Sequence, residues 1–209
     1  MNKENLVSGL IGLVIGVLLT SAFTPMGGNM MGNRNSIIGD SDKSLQQNGM
    51  MDSIDAHFIE QMIPHHDGAV SMAKLDLEKS NRPEIKTLAS AIIVGQTKEI
   101  DDMTGWYKNW FGKDVPKGNM GMMGGGMMSG SGMHMGGQED MTSLQSATDF
   151  DKAFLKAMIP HHQMALMMVQ MLEAGTKRPE MIELAKNITL SQSKEIKDMQ
   201  GWYTEWYGK

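Results

Sequence analysis

An internal repeat constrains the fold of this chain more than any other feature. Residues 55–112 align without a gap onto residues 151–208, and 26 of the 58 aligned positions are identical. The motif Met-Ile-Pro-His-His occurs once in each copy, at residues 62–66 and again at residues 158–162. A duplication of this length predicts two structurally equivalent halves.

Each copy is predicted to be a helical hairpin, because no stretch of it alternates apolar and polar residues with the period of a strand. In the first copy the helices are expected at about residues 52–79 and 83–111. Pro83 and Pro179 suit a first helical turn, and Gly175 suits a helix end. One hairpin buries little apolar surface, so two hairpins are expected to dock as an all-α four-helix bundle.

The apolar segment at residues 6–23 contains no charged residue and is just long enough to span a bilayer. It predicts export, either as a signal peptide cleaved near Ala22 or as an uncleaved anchor in the inner membrane. The rest of the chain is then periplasmic or otherwise extracytoplasmic. The predicted order is a signal peptide or anchor at 1–23, a flexible linker at 24–51, hairpins at 52–112 and 149–209, and a Gly/Met-rich linker at 113–148 between them.

Composition removes several classes of protein. The chain has 24 Met but no Cys among its 209 residues, which excludes disulfides, thiolate zinc sites, blue-copper centres and catalytic thiols. Its formal net charge of -5 predicts no nucleic-acid partner. Di-iron Glu-x-x-His motifs, zinc His-Glu-x-x-His motifs and phosphate-binding glycine loops are absent from the sequence.

The predicted helices carry polar residues on the face that should be buried. A helix turns by about 100° per residue, which places both His of the first motif beside Phe58. The second helix places Gln96 and Glu99 on the side of Trp106. The residues on these faces are Met62, His65, His66, Met72, Gln96, Glu99 and Met103 in the first copy and Met158, His161, His162, Met168, Gln192, Glu195 and Met199 in the second.

Imidazole nitrogen and thioether sulfur are the donors that Cu(I) prefers, and Ag(I) shares that preference. The residues on these faces, other than the two glutamines, are therefore the predicted copper ligands. Glu99 is also suited to holding an imidazole N–H rather than the metal. The alternative is a methionine-packed core around paired histidines. His57 is replaced by Ala153 in the second copy and is expected at the surface.

Two further features leave alternatives open. Pro64 and Pro160 predict either a kink beside the histidines or the start of a new helix.

Residues 116–141 contain eight Met and nine Gly, so this segment is either a plain spacer or a flexible arm that captures Cu(I). In the second case Met133, His134 and Met135 are accessory ligands. The Trp/Tyr segments at the helix ends are expected to pack, with a cation–π contact to Cu(I) the less favoured role.

The motif of each copy, followed by Gln-x-x-Glu-Ile-x-x-Met-x-x-Trp, resembles the domain of unknown function 305. The resemblance covers both copies and implies a ferritin-like four-helix bundle that is often exported. Bacterial members include a Met/His-rich periplasmic copper-binding protein linked to copper resistance, so the same ligands and role are implied here. Gly68 and Ser71 depart from their counterparts Met164 and Met167, which indicates that the copies differ in copper affinity or capacity.

The predicted function is binding rather than catalysis: an extracytoplasmic protein that sequesters Cu(I) or passes it on in copper tolerance. Two alternatives stay open, a cuprous oxidase and a structural bundle without metal. The expected partners are the metal ion, a candidate copper-delivery protein, and the membrane if the N-terminal segment is retained.

Overall fold

The computed structural model describes residues 41–116 and 138–208 of the protein. The elements in these ranges are α1 (Ser41–Lys79), α2 (Pro83–Phe111), α3 (Gln138–Gln145), α4 (Phe150–Glu173) and α5 (Pro179–Tyr207). The predicted all-α class is confirmed. The apolar segment predicted at residues 1–23 lies outside the described residues, and none of the helices within them is both long and apolar enough to cross a bilayer.

Local sequence explains where the hairpin helices begin and end. Both α2 and α5 start at a proline, with Arg82 and Arg178 in an extended conformation just before it. The Asp149 side chain caps α4 by accepting a hydrogen bond from the Lys152 backbone N–H. Helix α2 ends where Gly112 adopts a φ of 65°, a conformation that glycine tolerates without strain.

The hairpins α1–α2 and α4–α5 dock mainly through α1 and α4, which run antiparallel. Their packing creates two hydrophobic cores at opposite ends of the bundle. The first core consists of Phe58, Ile59, Met62, Met103, Tyr107, Ala165, Val169, Leu172, Met181, Leu184, Ala185 and Ile188. The second core consists of Ala69, Met72, Ala73, Ile85, Leu88, Ala89, Ile92, Leu144, Phe154, Leu155, Met158 and Met199.

The two cores are related by the sequence repeat. Phe58 and Met62 of the first core correspond to Phe154 and Met158 of the second. Each core combines one half of each helix from both repeats, so neither hairpin encloses a core by itself. The sequence duplication therefore appears in the structure as an approximate two-fold relation centred on the crossing of α1 and α4.

Two elements differ from the sequence-based expectation. Helix α1 begins at Ser41, so the end of the flexible linker predicted at residues 24–51 is helical; Ser41 and Asp42 are residue types that favour a helix start. The linker predicted at 113–148 contains the short helix α3, which packs on α4 and buries Leu144. Residues this close to a packed helix gain structure from tertiary contacts that local composition does not reveal.

The prolines of the two motifs lie inside helices. Pro64 is within α1 and Pro160 is within α4, ten residues after α4 begins. The alternative in which each proline starts a new helix is therefore wrong. Each proline removes one helical backbone hydrogen bond next to the histidine pair.

Candidate metal site between the two cores

The four motif histidines lie between the two cores, and we call them the histidine layer: His65, His66, His161 and His162. On α1 they lie between Met62 of the first core and Ala69 of the second, and α4 repeats this order in reverse. The side chains of His66, His161 and His162 are fully buried, and that of His65 is 7% exposed. Burial of four imidazoles in one layer is unusual, because polar groups removed from water need partners.

One histidine of each pair is held by a glutamate of the same hairpin. The Nε2 atom of His66 lies 2.7 Å from Oε2 of Glu99, and that of His162 lies 2.6 Å from Oε2 of Glu195. Each carboxyl group retains 17% exposure. A carboxylate acceptor places the proton on Nε2 and leaves the lone pair of Nδ1 available, which is how second-shell carboxylates orient metal-binding histidines.

The other histidine of each pair contacts its counterpart across the repeat. The ring centroids of His65 and His161 are 3.7 Å apart with the planes tilted by 35°. Burial first, and then the neighbouring imidazoles, lower the pKa of His65 to about 3 and that of His161 to about 2. Both rings are therefore neutral over the physiological range, which is the protonation state that binds metals.

Six imidazole nitrogens of this layer are buried without a hydrogen-bond partner. They are both ring nitrogens of His65 and of His161 and the Nδ1 atoms of His66 and His162. The side-chain oxygens of Gln96 and Gln192, which lie between the cores on α2 and α5, are in the same situation. Each unsatisfied buried polar group costs about 1–3 kcal/mol, so this layer has a strong requirement for a ligand.

The structure divides the predicted methionine ligands between the two cores. Met62 and Met103 belong to the first core, where Met168 of the second repeat packs against them. Met72 lies instead in the second core with Met158 and Met199. Met62 and Met72 share a helix face, yet ten residues at 1.5 Å per residue separate them by about 15 Å along the axis. They cannot bind the same ion.

The thioethers therefore form two trios, each drawn from both repeats. The first trio is Met62, Met103 and Met168, and the second is Met158, Met199 and Met72. Within residues 41–116 and 138–208, no group of three or more His, Asp or Glu side chains converges as a metal site. A metal site in this part of the chain thus depends on thioether donors beside the imidazoles, a combination suited to soft cations.

Other predicted residues fall outside this centre. His57 is exposed, as predicted from its absence in the second copy. The accessory candidates Met133, His134 and Met135 lie outside the described residues, so their prediction stands on sequence alone.

Sequence reasoning did not foresee the reciprocal contacts that join the hairpins. The Arg178 guanidinium lies 4.3 Å from the Trp110 ring centroid, and its Nε atom is 3.0 Å from the buried carboxylate of Asp55. In the other direction, the Arg82 guanidinium lies 3.9 Å from the Trp206 ring centroid, and its Nε atom lies 3.3 Å from Oδ2 of Asp151. The recurrence of Arg-Pro-Glu in both repeats was the available signal. With these arginines on Trp110 and Trp206, packing rather than copper binding accounts for both rings.

Asp76 is a second feature that the sequence did not reveal. Its side chain is fully buried, and neither carboxyl oxygen has a hydrogen-bond partner. Burial first, and then the nearby charge of Asp151, raise the pKa of Asp76 to about 7, although Lys86 opposes this shift. Leu172 occupies the equivalent position of the second repeat, so the acid is specific to the first.

Comparison with solved structures finds proteins with a similar fold. CopM in its Cu(I)-bound form is 43% identical, with a TM-score of 0.63, and the match covers 73% of this chain and 97% of CopM. CopM has also been solved with Cu(II) and with Ag bound. A DUF305 fragment from Deinococcus radiodurans is 26% identical, with a TM-score of 0.60 over 73% of this chain and 96% of the fragment.

Sequence comparisons agree with the structural ones. A stretch of 49 residues is 45% identical to uncharacterized protein L153 of Acanthamoeba polyphaga mimivirus; it spans 23% of this chain and about a third, 32%, of that protein. The family model "Domain of unknown function (DUF305)" matches residues 55–203, which include most of both hairpins and the whole histidine layer. The chain therefore belongs to the DUF305 family.

Proposed function

We propose that this protein binds copper as Cu(I) at the histidine layer. The observation that carries the proposal is the set of six buried imidazole nitrogens without hydrogen-bond partners, with thioethers on both sides. A soft cation binds the one lone-pair nitrogen of each neutral imidazole, so four of these six nitrogens are available to it, and it accepts sulfur as a further donor. The similarity to CopM, which has been solved with Cu(I), Cu(II) and Ag bound, supports the choice of metal.

Two sites follow from the division of the thioethers. The first trio, with imidazoles of the layer, forms one site, and the second trio forms the other. Glu99 and Glu195 orient His66 and His162 from outside each site. Two changes to the predicted ligand set follow: Glu99 and Glu195 hold imidazoles rather than the metal, and Met72 and Met168 exchange places between the repeats.

Two sequence features indicate the cellular role: the apolar N-terminal segment and the Met-rich segment between the hairpins. The apolar segment at residues 6–23 supports a location outside the cytoplasm, where Cys-free copper sites avoid oxidation to disulfides. The methionines of residues 116–141 support capture of Cu(I) by this segment, with Met133, His134 and Met135 as its accessory ligands. Sequestration or transfer of Cu(I) in copper tolerance is the function that fits both features.

An anaerobic titration of the full chain against a chromophoric Cu(I) chelator tests the proposal. Replacing Met62, Met103, Met158 and Met199 by Leu preserves core volume, so the bundle is expected to fold while losing at least tenfold in affinity, about 1.4 kcal/mol per site. Met181→Leu is the matched control, because Met181 is a buried core methionine whose counterpart in the first repeat is Ile85. It should leave affinity unchanged.

The same titration separates the alternatives. Changing His65, His66, His161 and His162 to Ala should abolish tight binding while circular dichroism reports retained helix. Replacing residues 117–137 by Gly and Ser leaves α3 intact and should remove only weak, rapidly exchanging copper. Loss of tight binding with the linker variant alone would make the bundle a scaffold. Absence of competition by every form favours the metal-free bundle, and oxygen consumption during Cu(I) turnover favours the cuprous oxidase.

A further inference from the structure

Helix α4 carries four methionines on one outer face, which we call the methionine stripe: Met164, Met167, Met168 and Met171. The spacing of three, four and seven residues from Met164 places them within one arc of the helix. Met167 is 47% exposed and Met171 is 68% exposed, whereas Met164 and Met168 are partly buried. Large apolar side chains this exposed are not needed to fill a core.

The first repeat shows that the fold does not require this stripe. The positions equivalent to Met164, Met167 and Met171 are Gly68, Ser71 and Leu75 on α1. Only Met168 has a thioether counterpart, Met72, which is buried in the second core. The stripe is thus a feature of one repeat, and the architecture that the two repeats share does not depend on it.

The stripe connects solvent to the interior. Met171 and Met167 are at its exposed side, and Met168 packs against the first core, which contains Met62 and Met103. The stripe therefore extends from the exposed surface of α4 to Met168, which is itself a member of the first trio. The second trio has no equivalent series, because Gly68 and Ser71 stand where α4 has thioethers.

We propose that the methionine stripe is a surface acceptor site for Cu(I) that loads the first trio. This inference rests on the copper function proposed above and adds a route and an asymmetry to it. Thioethers are uncharged and bind Cu(I) at any pH, so an ion held by two or three of them is stable yet exchanges readily. Each transfer replaces one Cu–S bond by another, so copper remains Cu(I) and no proton or electron moves.

The experiment uses the full chain labelled with carbon-13 at the methionine methyl groups. When Cu(I) is added as its acetonitrile complex under anaerobic conditions, in excess over the buried sites, the Met167 and Met171 resonances are expected to shift together with those of Met62 and Met103. Resonances of the stripe that stay unchanged in this excess of Cu(I) would overturn the proposal. The stripe would then be an apolar contact surface, since flexible methionines also suit protein partners.

A kinetic variant tests the loading role. Met167→Leu with Met171→Leu keeps the apolar surface but removes both exposed thioethers. Transfer of Cu(I) from a chromophoric complex to the first trio should slow by about tenfold, while the capacity of the buried sites for Cu(I) stays the same. Leu190→Met is the control, because it adds a thioether at a position of α5 that is 73% exposed and should not alter the rate.

The two proposals fail in distinguishable ways. If the histidine layer does not bind copper, the Met62 and Met103 resonances stay fixed, while the stripe still shifts if it binds Cu(I) by itself. If the stripe is not a loading site, the buried resonances shift and the double leucine variant transfers copper at the wild-type rate.

Discussion

Position 76 of the first repeat is a buried aspartate, whereas the equivalent position 172 of the second repeat is a buried leucine. Glu60 and Lys156 form another unequal pair, as do Ser71 and Met167. By contrast, residues that contact the opposite repeat are the same in both copies: the histidines of the layer and the Asp, Arg and Trp residues of the reciprocal contacts. The residues of the histidine layer and of the reciprocal contacts are thus the same in both repeats, whereas positions 60, 71 and 76 differ from their counterparts.

The largest expected effect concerns the reciprocal contacts. Both join an Arg to an Asp and a Trp of the other repeat, but the two aspartates differ in burial. Arg178→Met removes the cation whose Nε atom lies 3.0 Å from the fully buried carboxylate of Asp55, and it should lower the free energy of unfolding by about 3–5 kcal/mol. Arg82→Met affects Asp151, which is 17% exposed, and should cost less, about 1–3 kcal/mol. Urea unfolding of the full chain measures both losses.

A second substitution checks the cause of this difference. Adding Asp55→Asn to Arg178→Met removes the buried charge and should recover part of the lost stability. Equal losses for the two arginine variants would show that stacking on tryptophan, rather than the buried carboxylate, determines the contribution of these residues.

An intermediate effect is expected from making the repeats alike at position 76. Asp76→Leu copies the second repeat and removes an unsatisfied buried carboxyl group, so it should raise the free energy of unfolding by about 1–3 kcal/mol near pH 8. Burial raises the pKa of Asp76 from 3.8 to about 7. The stability of the wild type relative to Asp76→Leu is therefore greatest below pH 3.8, and this relative stability is lost as the pH rises through 7.

The advantage of Asp76→Leu should therefore shrink when unfolding is measured at pH 5 instead of pH 8. Leu172→Asp is the reverse exchange and should destabilise the protein, more at pH 8 than at pH 5. A pH-independent gain from Asp76→Leu would contradict the assignment of a raised pKa.

The smallest expected effect concerns a hydrogen bond present in one repeat. The Tyr107 hydroxyl donates to the Glu60 carboxylate, whereas Lys156 stands at the Glu60 position in the second repeat. Tyr107→Phe should cost about 0.5–1.5 kcal/mol, and Tyr203→Phe should be nearly neutral. Thermal unfolding of both variants measures the difference, and equal losses would mean that the bond with Glu60 adds nothing.

Much of the fold was accessible from sequence, because duplication and helical periodicity are properties of the chain itself. The hairpins and the inward orientation of His66, Glu99 and Met103 all follow from spacing along a single helix. Which residues of different helices pack against one another does not follow from this spacing. Angular position alone placed Met72 beside Met62, but the axial rise of the helix puts Met72 in the opposite core, beside residues of the other repeat.

The same limit explains the remaining differences. The approach of Arg82 to Trp206 depends on how two hairpins dock, which no local pattern encodes. Helix α3 forms where Leu144 finds a place in the second core, although its neighbourhood in sequence is typical of a linker. The buried state of Asp76 likewise depends on packing. Its position in the second repeat carries an apolar residue, Leu172.

The approximate two-fold relation has a consequence for how such a chain arises. The histidine layer and the reciprocal arginine contacts join each hairpin to the matching surface of the other, so two separate molecules of a single hairpin satisfy these contacts as a homodimer. Fusion of two identical genes then preserves the interface while releasing each half from the requirement to be identical. The methionine stripe and Asp76 are changes that a symmetric homodimer must carry twice and a fused chain can carry once.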